Sequence, residues 1–344
     1  MTFQIQAIDV GYLNLQGAAN VFLIEGPAGF ALVESGTATT WPELVIQLEQ
    51  RGVHPTQIID LLLTHIHLDH AGAAGHFAAG DSRVWVHSFG VPHLIDPTKL
   101  IASSRRVHGE MYERFYGDLW PTPESQALAV CDGQLISAAG LEFHAIETPG
   151  HARHHHALLL KHADQRHIFV GDALGIAVPN SDFISIPTPP PEFDPIAWKQ
   201  SLQRLRDALP THLWLTHGGL QSTNTAAALH FIDRVQARLE EESNFLKKQA
   251  TAIIASGARD SSAYQQALLA ATDEYKNWLH PQAAAAGVSA RNLAQFLGDS
   301  FLLMNLQGAI HKHQRGPRPT TLPIPRRPNT WLPLICGIET DPFT

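Results

Sequence analysis

Short apolar runs punctuated by glycine and proline dominate the chain as far as residue 217, and amphipathic helical stripes take over from residue 225. Runs at 21–24, 30–33, 58–63, 83–87, 141–146, 157–160, 167–170 and 213–215 have the length and apolar content of buried strands. The stretch Glu25-Gly26-Pro27-Ala28-Gly29 between the first two predicts a hairpin. Thr40 before Pro42 predicts a helix N-cap, and the stripe Leu44, Val45, Leu48 stops at Gly52. A second helix carries Trp198, Leu202, Leu205 and Leu209 and is stopped by Pro210. Later stripes are Leu229, Ile232, Val235, Leu239 and then Leu293, Phe296, Leu297, Phe301, the last with Ser289 as its cap. The pattern is that of an α/β protein, with a core expected over 1–224 and a helical extension over 225–344.

Two stretches break the pattern. Residues 88–126 contain Pro92, Pro97, Pro121 and Pro123 around a helix-like centre bearing Met111, Tyr112, Phe115 and Tyr116. This reads either as an insertion over a site or as aromatics packed on the core. On the first reading Tyr112, Phe115, Tyr116 and Trp120 line the mouth of a substrate pocket. Residues 316–333 are rich in proline and arginine and are expected to be extended.

Chemistry concentrates after the run at 58–63, where His65, His67, Asp69 and His70 fall within six residues. In extended backbone alternate residues face the same way, so His65, His67 and Asp69 are expected to converge. Asp69 and His70 are adjacent and diverge, which suits two neighbouring ions better than one. The same grammar, a short buried strand followed by a metal-competent residue beside glycine, recurs at His151, Asp172 and His217. Each of these alone reads as a structural residue; their recurrence in one chain points to a metal site.

Composition narrows the classes. The 344 residues are 44% apolar and 16% charged, ordinary for a soluble enzyme with a sizeable core. A formal charge of -8 argues against nucleic-acid partners, and no apolar run approaches membrane-spanning length. Two cysteines, Cys131 and Cys336, suggest neither a disulfide framework nor a cysteine-based zinc site. The segment MTFQIQAIDVGYLN lacks the basic region and apolar core of a signal peptide, which points to a cytoplasmic protein.

The motifs THIHLDHAG, TPGH, GDAL and THGG, in this order, resemble the metallo-β-lactamase superfamily of metal-dependent hydrolases over roughly residues 15–220. The resemblance implies an αββα sandwich with a dinuclear site at one edge of two facing sheets. His65, His67 and His151 would bind one metal, Asp69, His70 and His217 the second, and Asp172 would bridge them. Glu34 stands where the family usually has Asp in an LIDTG turn, a conservative and structural departure. Imidazole and carboxylate donors suit two divalent ions, zinc foremost, with iron or manganese as alternatives. The expected reaction is hydrolysis of an ester, thioester, lactone or phosphoester by a hydroxide bridging the metals. Asp69 would orient that nucleophile and help protonate the leaving group. His154, His155 and His156 are expected outside the ligand set, with His154 a possible substrate or supporting contact.

The bridging Asp172 fits the glyoxalase II, lactonase and nuclease-like branches, whereas true β-lactamases generally lack it. His67 disfavours the flavodiiron oxidoreductases. Ala173-Leu174-Gly175 lacks the lactonase tyrosine, and the glutathione-binding residues of glyoxalase II are not found. Two alternatives are a mononuclear iron sulfur dioxygenase and a non-catalytic ligand-binding member of the fold. The expected partner is a small-molecule substrate, with no nucleic acid and no membrane.

Overall fold

Strand residues here alternate between two different cores, and that alternation dictates the layers. The computed structural model describes residues 3–315. Its first sheet runs in the order β1 (Gln4–Asp9), β2 (Asn20–Gly26), β3 (Gly29–Val33), β4 (Ile58–Leu62), β5 (Arg83–His87), β6 (Ala127–Val130). The β1–β2–β3 part is antiparallel and the β3–β4–β5–β6 part parallel. The second sheet holds β7 (Leu135–Ala138), β8 (Leu141–Glu147), β9 (His156–His162) and β10 (Gln165–Gly171), with β13 (His212–Leu215) and β14 (Gly219–Thr223) continuing beyond β10. Only the β10–β13 pairing in it is parallel. Between β10 and β13, β11 (Ile176–Ala177) and β12 (Ile184–Ser185) form a separate small ribbon.

On β2, Phe22 and Ile24 enter the core between the sheets, where Phe143, Leu158, Leu160 and Phe169 meet them from the second sheet. The intervening Val21 and Leu23 face the outer layer of the first sheet. On β10 the same period of two sends Phe169 inward and Ile168 and Val170 outward. Helices cover both outer faces. On the first sheet these include α1 (Trp41–Glu49), α2 (Leu68–Ala71) and α3 (Ala74–Ala78); on the second, α7 (Pro195–Asp207) and the start of α8 (Thr225–Ala255). The architecture is therefore the expected αββα sandwich with helices following it. Residues 88–126 include α4 (Val91–Ile95), α5 (Thr98–His108) and α6 (Tyr112–Phe115).

Several local expectations change. Thr40 precedes α1, but its side chain makes no cap bond there; it pairs instead with Thr37 in a reciprocal capping box around a preceding 3-10 turn. Leu209 lies beyond α7 with φ 49° and is 47% exposed, because Ala208 already ends the helix. The stripe from Leu293 to Phe301 is two helices, α10 (Ala290–Phe296) and α11 (Asp299–Arg315), separated at Gly298. Ser289 does cap α10, accepting from the Asn292 amide at 3.2 Å. Between α8 and α10 lies α9 (Ser262–Ala285), whose buried side is mixed, with Thr272 and Tyr275 beside Ala271 and Leu279. The Pro-rich segment at 316–333 falls outside the described residues. Among those described, no helix is long and apolar enough to cross a membrane.

Candidate metal centre

β4 ends at Leu62, and the buried Thr64 and His65 follow directly. His67 is the last extended residue (φ -60°, ψ 149°) and the N-cap of α2. Asp69 therefore sits in the first helical turn, not in extended backbone as the alternation argument supposed. The small residues Ala71 to Ala74 let the chain coil at once. Successive helical residues diverge by about 100°, so Asp69 and His70 still point apart.

Two donor groups result. His65, His67, His151 and Asp172 place one donor atom each within 4.8 Å of one another, and so do Asp69, His70 and His217. Asp172 faces both groups with different oxygens. Its Oδ2 is 3.1 Å from His151 Nε2, while Oδ1 is 3.3 Å from His70 Nε2 and 3.4 Å from His217 Nε2. Asp69 Oδ2 lies 3.3 Å from His217 Nε2. His67 turns its Nδ1 inward, 3.0 Å from His65 Nε2 and 2.8 Å from His151 Nε2.

The outward ring nitrogens are held by acceptors. His151 Nδ1 is 3.0 Å from the Pro187 carbonyl, His217 Nδ1 2.7 Å from the Ala18 carbonyl, and His70 Nδ1 3.0 Å from Glu34 Oε1. Carbonyls accept only, so His151 and His217 carry their proton on Nδ1 and present an Nε2 lone pair inward. Gly171, at φ 48°, lets the chain pass between Thr64 and His155; a Cβ there would lie 2.4 Å from Thr64 Oγ1 and 2.6 Å from His155 Nε2. His155 then accepts from the Asp172 backbone N–H at 3.1 Å, which fixes the carboxylate from behind.

Electrostatics separates the two groups. Burial, and then the neighbouring imidazoles, hold His65 well below the ordinary histidine range, and His67 is lowered to about 3. His151 is lowered too, chiefly by burial. Burial also opposes the charged forms of His70 and His217, but Asp172 and other carboxylates outweigh it and raise both. Burial raises Asp69 and Asp172 in turn, and the facing histidines overcome it and hold both carboxyls down. His70 Nε2 and Asp172 Oδ1 are buried without a hydrogen-bond partner. The neutral imidazoles of His65, His67 and His151 and the ionised carboxylates are the donor chemistry a divalent ion requires, and His70 and His217 would join them on giving up a proton.

The other expected pocket residues scatter. Tyr116 stacks near His108 and Tyr12, at ring separations of 4.8 and 6.4 Å. Burial raises the pKa of both Tyr12 and Tyr116, and the nearby Asp69 charge adds to it in each. Tyr112 turns its hydroxyl to Asp118 at 3.3 Å, Phe115 packs on the first-sheet core, and the exposed Trp120 lies tilted against His76. Tyr112 and Phe115 also meet the Tyr116 ring, at 6.1 and 6.2 Å, so they back that residue. His154 is buried beside His65 and His67 and stacks on Phe89, outside both groups. The sequence reading missed Tyr12 and His108. The Tyr-Leu-Asn turn at 12–14, with Leu13 and Asn14 at positive φ, carries no motif that would have revealed Tyr12.

The chain belongs to the metallo-β-lactamase superfamily, whose model matches residues 15–213. It is 31% identical over 222 residues to the metallo-β-lactamase fold-containing protein ST1585 of Sulfurisphaera tokodaii, covering 63% of this chain and 79% of that one. It is 30% identical over 165 residues to an atrochrysone carboxyl ACP thioesterase of Aspergillus fumigatus, covering 48% of this chain and 42% of the thioesterase. Among solved structures, the metallo-β-lactamase family protein TTHA1429 of Thermus thermophilus aligns with a TM-score of 0.59 at 20% identity, over 91% of this chain and 93% of that one. That likeness speaks to the fold alone.

Proposed function

We propose that this chain is a dinuclear metal-dependent hydrolase of small-molecule ester, thioester, lactone or phosphoester bonds, thioesters first. One observation carries the dinuclear reading: Asp172 gives one oxygen to each of two donor groups that are otherwise separate. His65, His67 and His151 would hold one ion, Asp69, His70 and His217 the other, with zinc the best match to the donors. Two such ions, when bound, supply Lewis acidity that polarises a carbonyl or phosphoryl oxygen and eases deprotonation of water.

The chain's own side chains do the rest. Asp69, kept ionised by His70 and His217, takes the proton of the attacking water and returns it to the leaving group. Tyr12 and Tyr116 stay protonated beside it and offer donors to a substrate oxygen. Buried His65, His151 and Trp198 wall the site against bulk water. The thioester preference is supported by the thioesterase relative, which this chain matches over four-tenths of that protein's length. No Ser or Cys nucleophile is needed, and Cys131 is not a free thiol.

The test is metal analysis of the purified chain combined with a panel of thioester, lactone, phosphodiester and phosphotriester substrates. Close to two divalent ions per chain and turnover of at least one class are expected. A well-loaded preparation with a single ion, leaving His70 and His217 unliganded, overturns the dinuclear reading.

A further inference from the structure

Ile186, Pro187 and Thr188 form a buried strap between β12 and α7. The middle carbonyl of this strap is the one that receives His151 Nδ1. Pro187 has no N–H, so its own backbone cannot anchor the peptide plane through a donor. The anchor comes from α11 instead. Thr188 N–H donates to Asn305 Oδ1 at 2.8 Å, Asn305 Nδ2 donates to the Ile186 carbonyl at 3.0 Å, and the Thr188 hydroxyl donates to the Asn305 carbonyl at 3.1 Å. One amide side chain therefore grips the backbone on both sides of Pro187.

Asn305 is fully buried, and its second Nδ2 proton reaches the Tyr275 hydroxyl at 3.1 Å. Tyr275 donates in turn to Glu242, whose other oxygen lies 3.2 Å from Arg238. A flipped amide would set donor against donor at Thr188 and acceptor against acceptor at Ile186, so the network permits one orientation. Gly308, one turn along α11, lets that helix lie directly on the strap; a Cβ there would come within 1.8 Å of the Thr188 carbonyl oxygen.

We propose that Asn305 is a positioning residue for His151, fixing the Pro187 carbonyl and through it the imidazole as its Nδ1–H tautomer. Nε2 is thereby turned to Asp172 Oδ2 and His67 Nδ1. The helices after residue 225 thus set the ligand geometry of a site built in the sandwich. The inference rests on the metal reading given above.

The experiment uses the full chain stripped of metal. Zinc is titrated in against a chromophoric chelator, and the imidazole nitrogen shifts of His151 are recorded before zinc is added. Asn305→Leu removes the grip, and Asn305→Asp keeps the size and the Thr188 contact but removes both donors. Leu302→Ala, a buried position on the same helix, loosens packing without touching the strap. Both Asn305 variants are expected to bind zinc 10–100-fold more weakly and to show mixed His151 tautomers. Leu302→Ala should keep wild-type zinc affinity and one tautomer while its melting temperature falls. A folded Asn305 variant with wild-type zinc affinity and a single tautomer overturns the proposal, as does an equal loss in Leu302→Ala. A wild-type chain that takes up no zinc tells against the metal reading instead, and the tautomer measurement then decides the role of Asn305 alone.

Discussion

Glu34 Oε1 lies 3.0 Å from His70 Nδ1, and the same oxygen accepts from the Thr64 hydroxyl at 2.5 Å and the Thr216 hydroxyl at 3.2 Å. One buried carboxylate thus ties together the ends of β3, β4 and β13 beneath the second donor group. Glu34→Ala removes the carboxylate that faces four buried donors, the Thr64 amide and hydroxyl, the Thr216 hydroxyl and His70 Nδ1. We expect a loss of about 3 kcal/mol in unfolding free energy and weaker metal retention at the second donor group, read from denaturant midpoints and metal content. Glu34→Asp restores the residue usual in the family but shortens the reach by one methylene, and should fall between wild type and Glu34→Ala. Wild-type stability in Glu34→Ala would mean that the two threonines and His70 find other acceptors.

Gly171 is a second place where backbone, not a ligand, controls the centre. Gly171→Ala adds a methyl against Thr64 Oγ1 and His155 Nε2 at a φ that only glycine adopts freely. Both contacted atoms already serve the site, one donating to Glu34 and the other accepting from the Asp172 amide. The variant should lose roughly 2–4 kcal/mol and release metal more readily in chelator competition. Unchanged unfolding would show that the strand end can move aside.

Glu242, on α8 and outside both donor groups, predicts a pH dependence of its own. Burial pushes its carboxyl up to about 7, against the lowering effects of Arg238 and Tyr275. A raised folded-state pKa in an acid means that the folded chain holds its proton after the unfolded chain has lost it. The stabilisation is full below the ordinary value of 4.5 and is lost as pH rises to about 7, by roughly 3 kcal/mol at most. Glu242→Gln should remove that slope from urea-unfolding data collected between pH 5 and 7. An identical slope in the variant would assign it to other groups.

The clustering of the candidate donors was legible because their grammar is local: a buried strand, then a metal-competent residue near glycine. That holds for the stretches around His65, Asp172 and His217. The strands β6, β7 and β14 were not, since short runs such as Leu135–Ala138 and the polar Gly219–Thr223 carry too little apolar content to register. Nor did alternation reveal that α2 begins at Leu68, because a four-residue helix has no period to detect. Glu34 could be located, but not its donors, which come from residues 30, 36 and 182 positions away. Asn305 and Tyr12 are the extreme case. Each is an ordinary residue in its own segment, and only the packing of distant elements gives it a role.

Asp69 supplies the sharpest test of the chemistry. It lies in the first turn of α2, within 3.3 Å of His217 Nε2, and belongs to the second donor group while its charge reaches Tyr12, His108 and Tyr116. Asp69→Asn keeps the size and one oxygen and removes both the charge and the capacity to accept a proton. Hydrolysis should fall on the order of 10²–10⁴-fold, with the fold retained. Metal content should drop as well, because a carboxylate donor of the second group is lost. His154→Ala is the control: His154 is buried nearby but stands outside both donor groups, so turnover there should change far less. The measurement is turnover on whichever substrate class proves active, with metal content determined on the same samples. Near wild-type turnover in Asp69→Asn would remove Asp69 from the mechanism and leave the proton transfers to another group.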